Sequence, residues 1–251
     1  MSDDAGAGNK EFGWSKFDPE SYVQHYYADP HPDDDEVVRR TCAALIEGAA
    51  GRTDLDVLDV GTGPNLFPLL SALPVARRVT AWEYAESNIA WLHQEAKRAA
   101  LRAPWLHFWE IARAAHGMAD ASPEAPMAAL RAKLDAVQGS IFDLPAANWD
   151  AATMFFCAES ITARQDEFEN ACACFARAVR PGGMLAAAFL AGSRGYTVGS
   201  EEYPAVSVGP DELEAAFSKL ATGMTVERIG DREEEIRSGY SGMLFLTARA
   251  R

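Results

Sequence analysis

LDVLDVGTGPNLF, residues Leu55–Phe67, decides how the rest of this chain is read. Its first six residues form a mostly apolar run, as a parallel strand covered on both faces requires. The run ends at Asp59-Val60, and Gly61 and Gly63 follow one residue apart with Pro64 behind them. A strand feeding a helix through such a turn places the turn at the carboxyl end of a sheet, where open α/β folds bind ligands.

Downstream, strands and helices alternate. A helix from about 65 to 72 leads to the strand RVTAWE (78–83), and Ser87 is placed to cap a helix whose Ile89, Leu92, Ala96 and Ala100 share a face. LDAVQGS (134–140) and WDAATMFFC (149–157) read as further strands. Phe168, Ala171, Cys172, Phe175 and Val179 recur at helical spacing. RPGG (180–183) ends that helix and opens the strand MLAAAFL (184–190). GPDELEAAFSKL (209–220) is a helix begun by Pro210 or Asp211, and MTVERIG (224–230) with GMLFLTARA (242–250) makes an antiparallel hairpin at the sheet edge. Ahead of the first strand, WSKFDPESYVQHYY (14–27) is crowded with aromatics. PDDDEVVRRTCAALIEG (32–48) is a helix capped by Asp33 or Asp34, with Val38, Cys42, Leu45 and Ile46 as its apolar face.

The expected fold is α/β: a doubly wound, Rossmann-like, mostly parallel seven-stranded sheet with helices on both faces and an antiparallel edge hairpin. One domain is expected over 1–251, with an N-terminal arm and lid helices in 1–50 and a cofactor-binding core in 51–251. Residues 1–11 read as disordered. The segment at about 104–133 is too long for a plain loop; it carries Trp105, Phe108 and Trp109 and a helix over 127–137. It is either a packed surface insertion or a wall over the ligand end of the sheet.

Two ligand classes compete for the glycine turn. The dinucleotide fingerprint GxGxxG needs a third glycine, but Leu66 stands there, and Pro64 removes a backbone N–H that a pyrophosphate would use. Asp59 is badly placed for a phosphate and well placed for a cationic or amine-bearing ligand. S-adenosylmethionine is such a ligand, with a sulfonium, an α-amino group and no phosphate. Glu83 follows Gly61 by 22 residues and ends the second strand, where a carboxylate accepts hydrogen bonds from both ribose hydroxyls.

The net charge of -14 opposes a nucleic-acid or anionic-membrane partner. The opening MSDDAGAGNK is acidic where a signal peptide would be basic and then apolar, and no apolar run approaches the roughly 20 residues of a membrane span. Cys42, Cys157, Cys172 and Cys174 lack metal-ligand spacing and read as buried thiols of a reducing compartment. The histidines 25, 31, 93, 107 and 116 share no spacing either; His25 lies between two tyrosines. A cytoplasmic monomer acting on a small molecule, with no bound metal, is the expectation.

At this point FDPESYVQHYY (17–27), DVGTGPNLFPLLSA (59–72), EYAESN (83–88), PWLHFW (104–109), RPGG and GMLFLTAR (242–249) together resemble class I S-adenosylmethionine-dependent methyltransferases. More narrowly they are similar to the group containing the nicotinamide, phenylethanolamine and thioether/amine N-methyltransferases, over about 17–249. The resemblance implies that Tyr22 and Tyr27 close over the cofactor, with Tyr22 also in the catalytic site. It implies that Gly61, Thr62 and Gly63 line the methionine portion with Asp59 and Cys157 beside them. Glu83 would hold the ribose, with Tyr84 and Asn88 by the adenosine, and Ser140 and Ile141 would bracket the adenine. Ser140 stands where the group usually has Asp. Glu159 aligns with an acidic residue facing the active site and is the first candidate to orient the acceptor or take its proton. Ser193 and Tyr196 match acceptor-side residues, but Phe189 replaces a carboxylate that binds the acceptor, which implies a more apolar one.

The implied reaction is in-line methyl transfer to an amine or heteroaromatic nitrogen, with oxygen or sulfur of a phenol or thiol as the alternative and S-adenosylhomocysteine as product. An NAD-dependent oxidoreductase and a non-catalytic S-adenosylmethionine-binding partner protein are the competing readings.

Overall fold

The computed structural model describes residues 7–118, 120–122, 124–230 and 239–251. In chain order these form α1 (Pro19–Tyr26), α2 (Pro32–Ala49), β1 (Leu55–Val60), α3 (Phe67–Ala72), β2 (Ala76–Glu83), α4 (Glu86–Ala96), α5 (Ala103–Ala115) and α6 (Ala125–Lys133). Then come β3 (Leu134–Gln138), β4 (Trp149–Phe155), α7 (Gln165–Ala178), β5 (Val179–Leu190), β6 (Gly195–Val198), β7 (Glu201–Pro204), α8 (Pro210–Phe217), β8 (Ala221–Ile229) and β9 (Met243–Ala250).

Seven strands build one sheet in the order β3-β2-β1-β4-β5-β9-β8. The first five run parallel, and β9 is antiparallel to both of its neighbours. The chain order reverses between β1 and β4, so the glycine turn after β1 opens at the switch point. This is the doubly wound sheet with an antiparallel edge hairpin that the alternation predicts. β6 and β7 form a separate two-stranded hairpin between β5 and α8, which the sequence pattern did not reveal.

Every residue of β1 is buried, as a central strand between two helical layers must be. Val57 joins a core with Val38, Leu45, Phe67, Leu70 and Trp105, while Leu58 and Val60 join one with Phe168, Phe175 and Phe217. Asp56 points to the strand's other end, where Arg77 binds it through two hydrogen bonds and Arg78 and Arg180 stand near.

Several local expectations shift. His31, not Asp33 or Asp34, caps α2: its ring nitrogen accepts from the Asp33 N–H at 3.2 Å. Ile46 is 40% exposed, and Val37, Thr41 and Ala44 take its place on the buried face. Ala85 precedes α4 without a side-chain cap, Ser87 sits inside the first turn, and the helix stops at Ala96, so Ala100 lies beyond it. RPGG belongs to β5 as a bulge: Trp149 pairs with Val179 while Ala151 pairs with Met184, so the intervening residues loop out. Residues 134–138 extend as β3 rather than prolonging the helix that precedes them. Ala7–Glu11, expected to be disordered, are docked: the Ala163 N–H donates to Ala7, and Asn9 donates to Glu167 and Ile161. Residues 1–6 lie outside the described residues.

The insertion resolves towards packing. Trp105, Phe108 and Trp109 are buried on α5, which leans on α2 and α3. Among the described residues, no helix is long and apolar enough to cross a membrane.

Phe189 is fully buried between Phe168 and Phe217, with ring centroids 6.2 and 6.3 Å away. Phe189→Ala should therefore cost about 3–5 kcal/mol of stability in urea unfolding, by the cavity it leaves in a dense core. A loss below about 1 kcal/mol would mean that the ring is not a core element.

Candidate active site

The glycine turn is held by a carboxylate. Gly61 and Gly63 both have φ in the left-handed region, +63° and +59°. The Gly61 N–H donates to the Trp82 carbonyl (2.8 Å), and the Gly63 N–H donates to Glu83 Oε2 (2.8 Å). The other oxygen of Glu83 accepts from the Ala85 N–H (2.7 Å). Asn65 Oδ1 caps Phe67 N–H at the mouth of α3, and Pro64 has no N–H to give. The amides of Gly61, Gly63 and Phe67 are thus already engaged, and Pro64 offers none to a pyrophosphate.

Above the turn lies a cleft of about 850 Å³, its solvent-open mouth included. Its floor is Val60–Asn65, one wall is Trp82–Tyr84 with Asn88, and Ser140 and Ile141 stand opposite. Phe155–Cys157, Ser160 and Ile161 continue it at the end of β4, and Asn9, Trp14, Phe17, Tyr22, Tyr27 and Tyr196 close it from the N-terminal and hairpin sides. Among the described residues lining it, Glu83 is the only charged one. Burial raises the Glu83 carboxyl above the usual range, against the hydrogen bonds from Ala85, Gly63 and Asn88. The Asn88 carbonyl oxygen is buried with no hydrogen-bond partner among the described residues. Together they present hydrogen-bond acceptors to whatever enters.

The aromatic wall is built by packing. Tyr27 is wedged among Phe67, Trp105 and Phe108, and its hydroxyl accepts from Asn65 Nδ2 at 3.0 Å. Trp105 and Phe108 of α5 therefore buttress Tyr27 from behind, and none of the described residues of 104–133 lines the cleft. Tyr22 rests on Phe17 and Tyr26, and Trp14 stacks on Tyr203 of the β6–β7 hairpin at 5.1 Å. Phe156 leaves β4 with φ +53°, an uncommon conformation for an aromatic residue. Its ring, with Tyr22 and Tyr27, borders both this cleft and a second cavity behind it.

Of the residues expected at the site, the structure gathers Tyr22, Tyr27, Gly61, Thr62, Gly63, Glu83, Tyr84, Asn88, Ser140, Ile141, Cys157 and Tyr196 around the cleft. Asp59, Glu159, Phe189 and Ser193 lie outside its lining. Asp59 is buried behind the turn, where its Oδ1 accepts from Thr153 Oγ1 (2.6 Å) and burial raises its carboxyl to about 7. Glu159 is fully buried, and its carboxylate accepts from the Leu190 N–H at 2.9 Å. Ser193 is buried at the exit of β5. Phe189 belongs to the core on the other face, because alternate residues of β5 point to opposite sides. Cys157 lies directly beneath Gly61, and burial pushes its thiol well above the ordinary value. Asn9, Trp14, Phe17, Trp82 and Phe156 also line the cleft; for Trp14 and Phe17 the sequence signal is the density of aromatics near the N-terminus.

A model of the NNMT/PNMT/TEMT family matches residues 7–251. Nicotinamide N-methyltransferase of Sus scrofa is 24% identical, over 96% of this chain and 93% of its own length. Phenylethanolamine N-methyltransferase of Bos taurus is 23% identical, over 87% of this chain and 82% of its own. Among solved structures, the N-methyltransferase NodS from Bradyrhizobium japonicum, in complex with S-adenosyl-l-homocysteine, superposes with a TM-score of 0.54. It is 12% identical and covers 92% of this chain and 96% of that one, a likeness of fold.

Two outcomes test the geometry. Gly61→Ala adds a Cβ that collides with Cys157 Sγ on a backbone that side chains avoid, so it should both destabilise the protein and abolish ligand binding in the cleft; unchanged binding would place the ligand elsewhere. Because the folded carboxyl of Asp59 sits at about 7 rather than about 4, the native state holds a proton there that the unfolded chain releases. Stability should then fall as pH rises from about 4 to 7, and Asp59→Asn should flatten that fall by up to about 4 kcal/mol, read from melting curves against pH.

Proposed function

The chain belongs to the NNMT/PNMT/TEMT family of S-adenosylmethionine-dependent methyltransferases, and on that premise we propose that it methylates a nitrogen, of an amine or a heteroaromatic ring, on a small molecule. The observation that carries the cofactor half is the cleft itself: aromatic walls, a turn whose two glycine amides are engaged, and Glu83 as its one charged lining residue among those described. A phosphate-bearing dinucleotide would meet a carboxylate and no cation there, whereas a sulfonium ligand meets favourable charge and π faces.

Glu83 would hold the ribose hydroxyls. Its two oxygens accept the Gly63 and Ala85 N–H groups, which aim the carboxylate into the cleft where a ribose would lie. Asn88 and Tyr84 would flank the adenosine, Ser140 and Ile141 the adenine, and Gly61–Gly63 the methionine portion with Cys157 beneath. When bound, S-adenosylmethionine supplies an electrophilic methyl group. The chain's own part is to align and to exclude water, which Tyr22, Tyr27, Trp14 and Phe17 do as a wall of rings over the cleft.

Tyr22, bordering both cavities, would touch cofactor and acceptor alike, and Tyr196 would border the acceptor from the hairpin. Glu159 is assigned a positioning role: by holding the Leu190 N–H it fixes the end of β5, where Ser193 follows. Asp59 would act from behind the turn, as a buried carboxyl that is tied to Thr153 and supports the end of β1. We take residues 1–50 and the core to work as one domain. The net charge of -14 supports a monomer that acts on small molecules in the cytoplasm, away from nucleic acid and membranes.

Calorimetry with S-adenosylhomocysteine and with NAD decides the cofactor. Binding of the first and not the second is expected, and the reverse would overturn the proposal. Glu83→Gln should weaken S-adenosylhomocysteine about ten- to a hundredfold, since it removes a charged hydrogen-bond acceptor; a change under twofold would remove Glu83 from the cofactor site.

A further inference from the structure

Three consecutive aspartates, Asp33, Asp34 and Asp35, open α2, and each goes to a different place. Asp33 packs against Gly230 at the end of β8, with His31 at 3.8 Å. Asp35 meets His107 of α5 at 2.6 Å and Arg39 one turn along. Asp34 lines the second cavity, which spans about 1080 Å³ with its solvent-open mouth included and is bordered by Tyr22, Tyr27 and Phe156. Only 7% of Asp34 is exposed, and it has no ion-pair or hydrogen-bond partner among the described residues.

A buried carboxylate without a partner is costly: it takes up a proton, or a bound cation offsets its charge. Burial and its two acidic neighbours raise the Asp34 carboxyl to about 7. Among the described residues His25 and His31 are the only basic side chains on this lining, neither hydrogen-bonded to Asp34, and Asp29 adds a second carboxylate at its edge. Leu190 and Met243, the facing ends of β5 and β9, give it an apolar side, and three rings separate it from the cofactor cleft.

Resting on the methyltransferase reading above, we propose that this second cavity seats the methyl acceptor and that Asp34 binds a basic nitrogen on it, making Asp34 a specificity-determining residue. A nitrogen held as an ammonium has no lone pair to accept a methyl group. The nitrogen at Asp34 is therefore a handle, and the nucleophile sits at the acceptor's other end, directed between Tyr22, Tyr27 and Phe156. The acceptor class is a two-ended molecule: a basic amine, an apolar middle that rests on Leu190 and Met243, and a separate nucleophilic atom.

The test uses matched probes that share a nucleophile and differ in the handle: 3-(aminomethyl)pyridine against 3-methylpyridine, and tyramine against 4-ethylphenol. Each is titrated calorimetrically into the whole protein saturated with S-adenosylhomocysteine. The amine of at least one pair should bind ten times more tightly or better. Asp34→Asn, with Asp34→Ser as a second variant, should bring the pair within about twofold while S-adenosylhomocysteine affinity stays unchanged, which also shows that the variant is folded. Asp35→Asn, whose side chain faces His107, should keep the preference. Equal binding within both wild-type pairs, no binding by either amine, or a preference that survives Asp34→Asn and Asp34→Ser would each overturn the assignment. Loss of S-adenosylhomocysteine binding in the wild-type protein would instead overturn the methyltransferase reading beneath it.

Discussion

The ligand end of this sheet depends on one buried carboxylate being shared between two backbone segments. Glu83 ends β2, yet its two oxygens accept the N–H groups of Gly63 and Ala85. That arrangement ties the turn after β1 to the turn after β2 across neighbouring strands. The positive φ values of Gly61 and Gly63 let the backbone fold back far enough to reach it, and the absence of a Cβ at Gly61 leaves room for Cys157 from β4. Three strand ends are thereby fixed at van der Waals and hydrogen-bond distance. The side chains that follow them, Asn88 on α4 and Phe155–Cys157 on β4, inherit their positions from this junction.

Over the junction the chain folds an aromatic strap whose supports lie elsewhere. Trp91 Nε1 donates to Glu20 of α1, and Arg102 pairs with the same carboxylate while lying 5.4 Å over the Trp91 ring. Tyr27 is backed by α5, and Trp14 and Phe17 are backed by Tyr203 of the hairpin. The two long excursions from the alternating pattern, α5–α6 and β6–β7, thus do comparable work from opposite sides. Neither could be assigned that work from its own sequence, because a buttress is defined by what it touches.

How much was legible follows the same division. β1 and Glu83 were readable because a strand buried on both faces and an acidic residue at a strand end are local patterns with fixed spacing. The cap of α2 was not, since Asp33 and Asp34 are the better capping residues by type and tertiary contacts draw both away from the role. The place of Phe189 was not legible, for a geometric reason. In the uniformly apolar MLAAAFL nothing marks which alternate residues face which helical layer, so a shift of one position exchanges the faces. Asn9 was invisible because its two hydrogen bonds reach residues more than 150 positions away.

Phe156 has a consequence for how the acceptor side of the molecule could diversify. Its left-handed backbone excludes β-branched residues and favours glycine or asparagine as the tolerated replacements, so the partition between the two cavities has a short list of permitted side chains. Leu190 and Met243 sit on ordinary strand backbone and carry no such restriction. Variation in the size and shape of what the second cavity admits is therefore channelled to the facing ends of β5 and β9, and a mutational library aimed at those two positions would explore more folded variants than one aimed at the ring between the cavities.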